Sequence, residues 1–115
     1  MEKKWFRFRS LGYAADGGKV DYRMEFFAPT LGMLRDKLAY ELAVNKRSVT
    51  YSYVDRVKVE LSKDGEILRS EVIIKKAMNG NHFVEAVEKS GTYKRLVEEQ
   101  RIIEERALAA GGGNE

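Results

Sequence analysis

The chain of 115 residues lacks cysteine altogether and contains one proline, one histidine and one tryptophan. Without cysteine there are no disulfides, no thiolate metal ligands and no cysteine nucleophile, and a reducing, intracellular setting is favoured. No apolar run approaches the roughly 18 residues that a membrane span requires. Arginines stand in the N-terminal stretch where a signal peptide would need apolar residues. We therefore expect a cytoplasmic protein with no membrane partner.

The composition is that of a globular domain, with 43% hydrophobic and 34% charged residues. A chain of this length can bury about two-thirds of its unfolded surface and fold without covalent staples. Because no linker or strict repeat divides it, we predict a single α+β domain over residues 1–110. The glycine-rich tail, residues 111–115, has few side chains to pack and is predicted to be disordered.

Alternating apolar residues predict a first β-hairpin, followed by a helix. The hairpin joins residues 4–11 to residues 20–26 through a turn that contains Asp16-Gly17-Gly18. Pro29-Thr30 then ends the strand, because proline cannot continue the hydrogen-bond ladder and Thr30 is a suitable N-cap. Leucines at helical spacing, from Leu31 to Leu42, predict the helix that follows.

A second hairpin is predicted from residues 49–61 and 67–76, which flank a turn at Lys63-Asp64-Gly65. Asp55 falls on the apolar phase of the first of these strands, so a bend or bulge is expected there. The predicted core face of the sheet takes one phase from each strand: Phe6, Phe8, Val20, Tyr22, Met24, Phe26, Val57, Val59, Leu68, Val72 and Ile74.

Residues 82–88 fit two interpretations. Asn79-Gly80 is a strong hairpin signal and favours a fifth strand, whereas the alanine and glutamates that follow are better helix formers. We take the strand as the prediction and keep the short helix as the alternative. A last helix, capped by Thr92, is predicted to end near Ala110. The expected fold is therefore an antiparallel sheet of four or five strands with two helices, in the order β-β-α-β-β-(β)-α.

Catalysis has little support in the sequence. His82 has no recognisable nucleophile or orienting residue near it, and no phosphate-binding, dinucleotide-binding or metalloprotease motif occurs. The glutamate pairs at 98–99 and 104–105 lie among Lys and Arg on one predicted helix, which is typical of surface ion pairs. We expect no enzyme activity, no catalytic residue, no metal site and no cofactor.

Charge points to one candidate binding surface. Residues 1–50 contain ten Lys and Arg against six Asp and Glu, and the predicted solvent face of the sheet carries eight basic and four acidic residues. Cations neutralise phosphates and exposed aromatic rings stack on unpaired bases, so this face is expected to contact single-stranded nucleic acid. Cross-strand Arg–Glu pairing on an ordinary wet sheet is the simpler alternative. The predicted contact residues are Trp5, Arg7, Arg9, Arg23, Arg56 and Lys58.

The helices offer a second candidate surface, for a protein. The last helix has apolar residues on two sides, which is typical of a helix that touches both its own sheet and a partner. The first helix leaves two large side chains off its apolar stripe. The alternative function is therefore a protein-interaction module, such as an inhibitor, an adaptor, an accessory subunit or a homodimer. Its predicted interface residues are Met33, Tyr40, Ile102 and Ile103.

Overall fold

Four strands and three helices make up the described part of the chain, residues 2–14 and 22–111, in a computed structural model. The predicted α+β class is confirmed, with one more helix than expected. The predicted turn at Asp16-Gly17-Gly18 and residues 112–115 of the predicted tail lie outside the described residues. The elements are β1 Glu2–Ala14, β2 Tyr22–Ala28, α1 Leu31–Ala43, β3 Arg47–Leu61, β4 Ile67–Asn79, α2 Gly80–Glu88 and α3 Gly91–Gly111.

The strands form one antiparallel sheet in the order β2-β1-β3-β4. Both predicted hairpin pairings are confirmed, with Phe8 opposite Phe26 in the first and Val57 opposite Val72 in the second. Strands β1 and β3 pair with each other in the middle of the sheet. In the described residues, β2 and β4 are therefore the edge strands.

Helix α1 begins and packs as its sequence predicts. The Thr30 hydroxyl accepts a hydrogen bond of 3.1 Å from the Met33 N–H and so caps the helix. Leu34 and Leu38, one turn apart, are fully buried against the sheet. The leucine stripe thus fixes which face of α1 turns inward.

Residues 82–88 belong to helix α2, so the prediction of a fifth strand is wrong. Asn79 does not form a hairpin turn; its Oδ1 accepts hydrogen bonds from the N–H groups of Asn81 at 2.8 Å and His82 at 3.2 Å. Phe83 and Val87 lie one helical turn apart on the face of α2 that reaches the core. Tertiary burial and the Asn79 cap together outweigh the local turn signal.

A close backbone approach holds α2 against β3. A Cβ atom at Gly80 would lie 1.9 Å from the Ser52 carbonyl oxygen, so only glycine fits at this position. The Ser52 hydroxyl is buried in the same contact and has no hydrogen-bond partner among the described residues. Gly80, which the sequence predicted in a hairpin turn, therefore allows α2 to pack closely against β3.

Helix α3 begins earlier than predicted, because its cap is Ser90 and not Thr92. The Ser90 hydroxyl accepts a hydrogen bond of 3.2 Å from the Tyr93 N–H and donates one of 2.6 Å to the Val87 carbonyl. One serine therefore ends α2 and starts α3. Tyr93 and Leu96 then pack against the core, while the second half of α3 extends past it.

The core lies between the helices and one part of the sheet. Phe8 is fully buried and stands 5.9 Å, ring to ring, from Phe83 of α2. Every residue of the core cluster comes from the strands near Phe8 or from the helices above them. Its buried members are Phe8, Met24, Ala28, Leu34, Leu38, Ala39, Val54, Phe83 and Val87.

Val57 and Val59, the predicted core residues of β3, are fully buried, but they lie on the other side of the sheet from Phe8. The register against β1 runs without a break from Tyr53 to Glu60 and places Val54 opposite Phe8, but Val57 opposite Trp5. Directly opposed residues point to the same side of an antiparallel sheet, so Val57 faces away from the helices. Asp55 does mark an irregularity, as expected, but the register shift there is between β3 and β4.

The sheet is longer than the layer of helices that covers it. The overall extents are 54 × 31 × 26 Å, and β3 alone has 15 residues. We call residues 57–61 of β3 and 67–77 of β4 the distal end; none of them belongs to the core cluster or packs against it. The three predicted core residues on β4 lie in this distal end and are exposed: Leu68, Val72 and Ile74.

Candidate binding surfaces

A buried carboxylate organises the basic residues of β1. Asp55 is fully buried and accepts hydrogen bonds from Arg7 Nε and Nη2 at 3.0 and 2.8 Å and from Arg9 Nε at 2.7 Å. Its second oxygen accepts one from the Lys76 N–H at 2.8 Å. Because Arg7 and Asp55 are directly opposed across β1 and β3, the register itself brings the charges together.

These contacts control the pKa of Asp55. Burial raises it, but the hydrogen bonds from Arg9, the Lys76 N–H and Arg7, together with the charge of Arg7, outweigh burial and hold the pKa below its ordinary value. The carboxylate therefore stays ionised. Two guanidinium groups neutralise it, and their side chains are only 17% and 20% exposed.

The surface that the sequence predicted for nucleic acid does not form as one face. Trp5, Arg7 and Arg9 lie on the side of the sheet away from the helices, and Trp5 is half-buried. The register of β3 places Arg56 and Lys58 on the other side, with Phe6 and Phe8. The backbone of Arg23 pairs with that of Leu11 in β2 and β1.

The basic residues of β3 have partners of their own. The Arg56 guanidinium lies over the Phe6 ring, 4.3 Å from its centre. Lys58 lies 3.6 Å from a Glu71 carboxylate oxygen and 3.9 Å from one of Glu2. Cross-strand pairing, the simpler alternative in the sequence, thus describes the arrangement well.

Strand β4 is the surface that sequence reasoning missed. Every residue of its 13 except Met78 is exposed, although the strand carries a row of aliphatic side chains. The alternation of apolar residues signalled a strand, but it could not show that no helix covers this one. The exposed aliphatic residues and their exposed fractions are Ile67 38%, Leu68 63%, Val72 40%, Ile73 46% and Ile74 54%.

Ion pairs cross from β4 to β3 beside these apolar residues. An Arg69 Nη2 atom lies 2.6 Å from a Glu60 carboxylate oxygen, and Glu71 pairs with Lys58 one step further along. The Arg69 and Glu71 side chains remain 76% and 73% exposed. Their outer sides are therefore accessible at the edge of the sheet.

The predicted helix interface is partly exposed. Met33 and Tyr40 on α1 are 48% and 51% exposed, and Ile103 on α3 is 55% exposed, whereas Ile102 is half-buried. Leu108, near the end of α3, is 74% exposed. These apolar side chains are distributed over two helices, while those of β4 follow one another along a single strand.

Other types of site have less support in the geometry. Among residues 2–14 and 22–111, no group of three or more His, Asp or Glu side chains could hold a metal ion. His82 is exposed in the first turn of α2, and its N–H donates to Asn79.

None of the described helices combines the length and apolar character needed to cross a membrane.

No protein-family model, curated protein or solved structure that was compared with this chain matches it.

Proposed function

We propose that the chain is a non-enzymatic protein-interaction module that binds a partner strand along the edge of β4. The observation that carries this proposal is the exposure of five aliphatic side chains on one edge strand. An uncovered edge presents backbone N–H and C=O groups to another chain, and natural sheets normally protect such edges with charge, proline or short length. β4 carries four charged residues, but it is 13 residues long, contains no proline and presents aliphatic side chains along its length.

Strand addition fits the chemistry of this edge. The backbone of an added strand supplies hydrogen bonds, and alternate side chains supply specificity. The aliphatic residues of β4 offer apolar contact to such a strand, and Arg69 and Glu71 offer charges of both signs. These features support a protein partner.

Photocrosslinking tests the proposal in cells that naturally express the protein. A photoreactive residue replaces Leu68 on β4, and in a control protein it replaces Lys94, which is exposed on α3. We expect a discrete adduct from position 68 alone, whose joined peptide, identified by mass spectrometry, comes from one protein. Equal labelling from both positions, or no adduct from position 68, would contradict the proposal.

Contact with single-stranded nucleic acid remains a prediction with less support. Arg7 and Arg9 are engaged with Asp55, and Arg56 and Lys58 lie on the opposite side of the sheet. Phosphate-driven binding weakens steeply as salt rises. Titration of a labelled single-stranded oligonucleotide at low and moderate salt checks this alternative, and under the β4 proposal no saturable binding is expected at moderate salt.

A further inference from the structure

We infer that the partner strand is β4 of a second copy of this chain, in an antiparallel pairing centred on Ser70. This inference rests on the proposed function of the β4 edge. It predicts a dimer with one continuous eight-stranded sheet. Three features support it: the symmetry of a dimer, the charges on β4 and a row of apolar residues that ends at the exposed edge.

Symmetry limits the possible registers. When two identical antiparallel strands pair about a twofold axis normal to the sheet, one residue must lie opposite its own copy. Centring on Arg69 or on Glu71 would oppose identical charges, and centring on Val72 would oppose Arg69 to Lys75. Like charges directly opposed across strands are destabilising. These three registers are therefore disfavoured.

The register centred on Ser70 opposes unlike charges on both sides of the axis. It places Arg69 beside Glu71 of the second copy, and Glu71 beside Arg69 of the second copy. Within one chain, Lys58 already pairs with Glu71, and Glu60 with Arg69. The dimer would extend these pairs into a row of alternating sign across four strands, which run about 4.8 Å apart.

The opposite face of the sheet gives a matching argument from apolar residues. Trp5, Val57 and Val72 lie opposite one another across β1, β3 and β4. This apolar row ends at the exposed edge, where Val72 is 40% exposed. Centring on Ser70 places Leu68 of the second copy, itself 63% exposed, beside Val72. The row then continues across the axis.

Backbone regularity separates this register from its one electrostatic competitor. Centring on Ile73 would also oppose Glu71 to Lys75. However, the longest uninterrupted pairing of β4 with β3 is over Arg69–Val72, whereas the register shifts at Ile73, between Val72 and Ile74, and again between Ile74 and Met78. Lys76 has a φ of 54°, outside the extended region. A regular ladder between two copies therefore forms more readily around Ser70 than around Ile73.

Charge-reversal variants test the pairing by sedimentation equilibrium. The parent chain, 13.2 kDa as a monomer, is expected to sediment at twice that mass at high concentration. In the Ser70-centred register, R69E places two glutamates opposite each other, and E71R places two arginines opposite each other. Each variant alone is therefore expected to dimerise at least about tenfold more weakly than the parent.

A mixture of the two variants supplies the complementary test. In a heterodimer of R69E and E71R, one chain carries glutamate at both positions 69 and 71 and the other carries arginine at both, so unlike charges are opposed on both sides of the axis. The mixture is expected to form the heterodimer, whereas Lys94→Glu on α3 is the matched control and leaves dimerisation unchanged.

Three outcomes would overturn the inference: a parent chain that remains a monomer at all concentrations, single variants that dimerise as the parent does, or a mixture that fails to associate. A folded monomer, verified by circular dichroism, that still gives a foreign adduct from position 68 would overturn the self-pairing and leave the β4 proposal intact. A monomer with no adduct from that position would overturn both.

Discussion

Val54 and Val57 are three residues apart in β3 and both are fully buried, yet they belong to different parts of the molecule. Val54 lies under the helices beside Phe8, whereas Val57 faces the other way in a row that ends at exposed Val72. Near Val54, the helices cover one face of the sheet and exclude water from it. At the distal end, aliphatic residues of the kind that sheets normally bury lie along an exposed edge strand. We infer that the first part provides stability and the second provides recognition.

Large-to-small substitutions should give the largest difference in stability between the two parts of the molecule. Phe8→Ala removes the ring that contacts both Phe26 and Phe83, and we expect a loss of about 3–5 kcal/mol in unfolding free energy. Leu68→Ala at the distal end should cost less than about 0.5 kcal/mol in the monomer. Urea unfolding at low protein concentration measures both. Similar losses at the two positions would contradict the division between stability and recognition.

Asp55, with the two arginines that bind it, lies between the two parts, and removal of its carboxylate should have the next largest effect on stability. Asp55→Asn leaves two guanidinium groups without their carboxylate, and a loss of about 3 kcal/mol is expected near neutral pH. Asp64→Asn, in the exposed turn between β3 and β4, is the matched control and should change stability by less than about 0.5 kcal/mol.

The effect of Asp55→Asn should also depend on pH. The folded pKa of Asp55 is lowered, so its contribution is fully present above the unfolded pKa of about 3.9 and is lost as pH falls through the folded value. The stability gap between the parent chain and Asp55→Asn should therefore narrow on acidification below about pH 4. Urea midpoints measured between pH 7 and pH 3 check this, and a constant gap would show that the carboxylate charge is not responsible.

Substitutions at two glycines test how closely α2 packs against β3. Gly80→Ala drives a methyl group into the Ser52 carbonyl and should cost about 1–3 kcal/mol. Gly91→Ala meets nothing within 4 Å and should change stability by less than about 0.5 kcal/mol. Thermal or urea unfolding of both variants gives the comparison. Equal tolerance of alanine at the two positions would mean that α2 is not seated against β3 in this way.

Loss of the α2 cap should have the smallest of these effects. Asn79→Ala removes the acceptor for two N–H groups, with an expected cost of about 1 kcal/mol. Asn81→Ala, exposed in the first turn, is the control and should cost less. Hydrogen exchange of the first-turn amides should accelerate in Asn79→Ala and not in Asn81→Ala. No difference between the two variants would argue against the cap.

Much of the fold was accessible to sequence reasoning because its signals are local. The hairpin pairings follow from alternation, and α1 follows from Thr30 and the leucine stripe. Residues 82–88 were assigned wrongly because the same Asn79-Gly80 pair can form a turn or cap a helix. The packing of Gly80 against Ser52 and of the following helix against the core decides between these outcomes, and such packing is a property of the whole fold.

The binding surfaces were less accessible for the same reason. Alternation shows that β3 has two faces. Because Asp55 falls among the apolar residues, the sequence does not show which face the helices cover. Arg56 and Lys58 were consequently predicted to lie on the same face as Arg7. The ion pairs of Arg7 and Arg9 depend on the register between β1 and β3, which the sequence does not state. On β4, the pattern of a buried strand and that of an exposed, apolar edge are identical.

Hydrogen exchange along β4 at rising protein concentration tests the central claim most directly. If the distal end is a recognition surface that a second copy covers, amides within Arg69–Val72 should gain protection as concentration rises, while those of the other edge strand, β2, should not. Unchanged exchange in β4 over a concentration range in which the sedimenting mass doubles would place the dimer contact elsewhere and contradict the account.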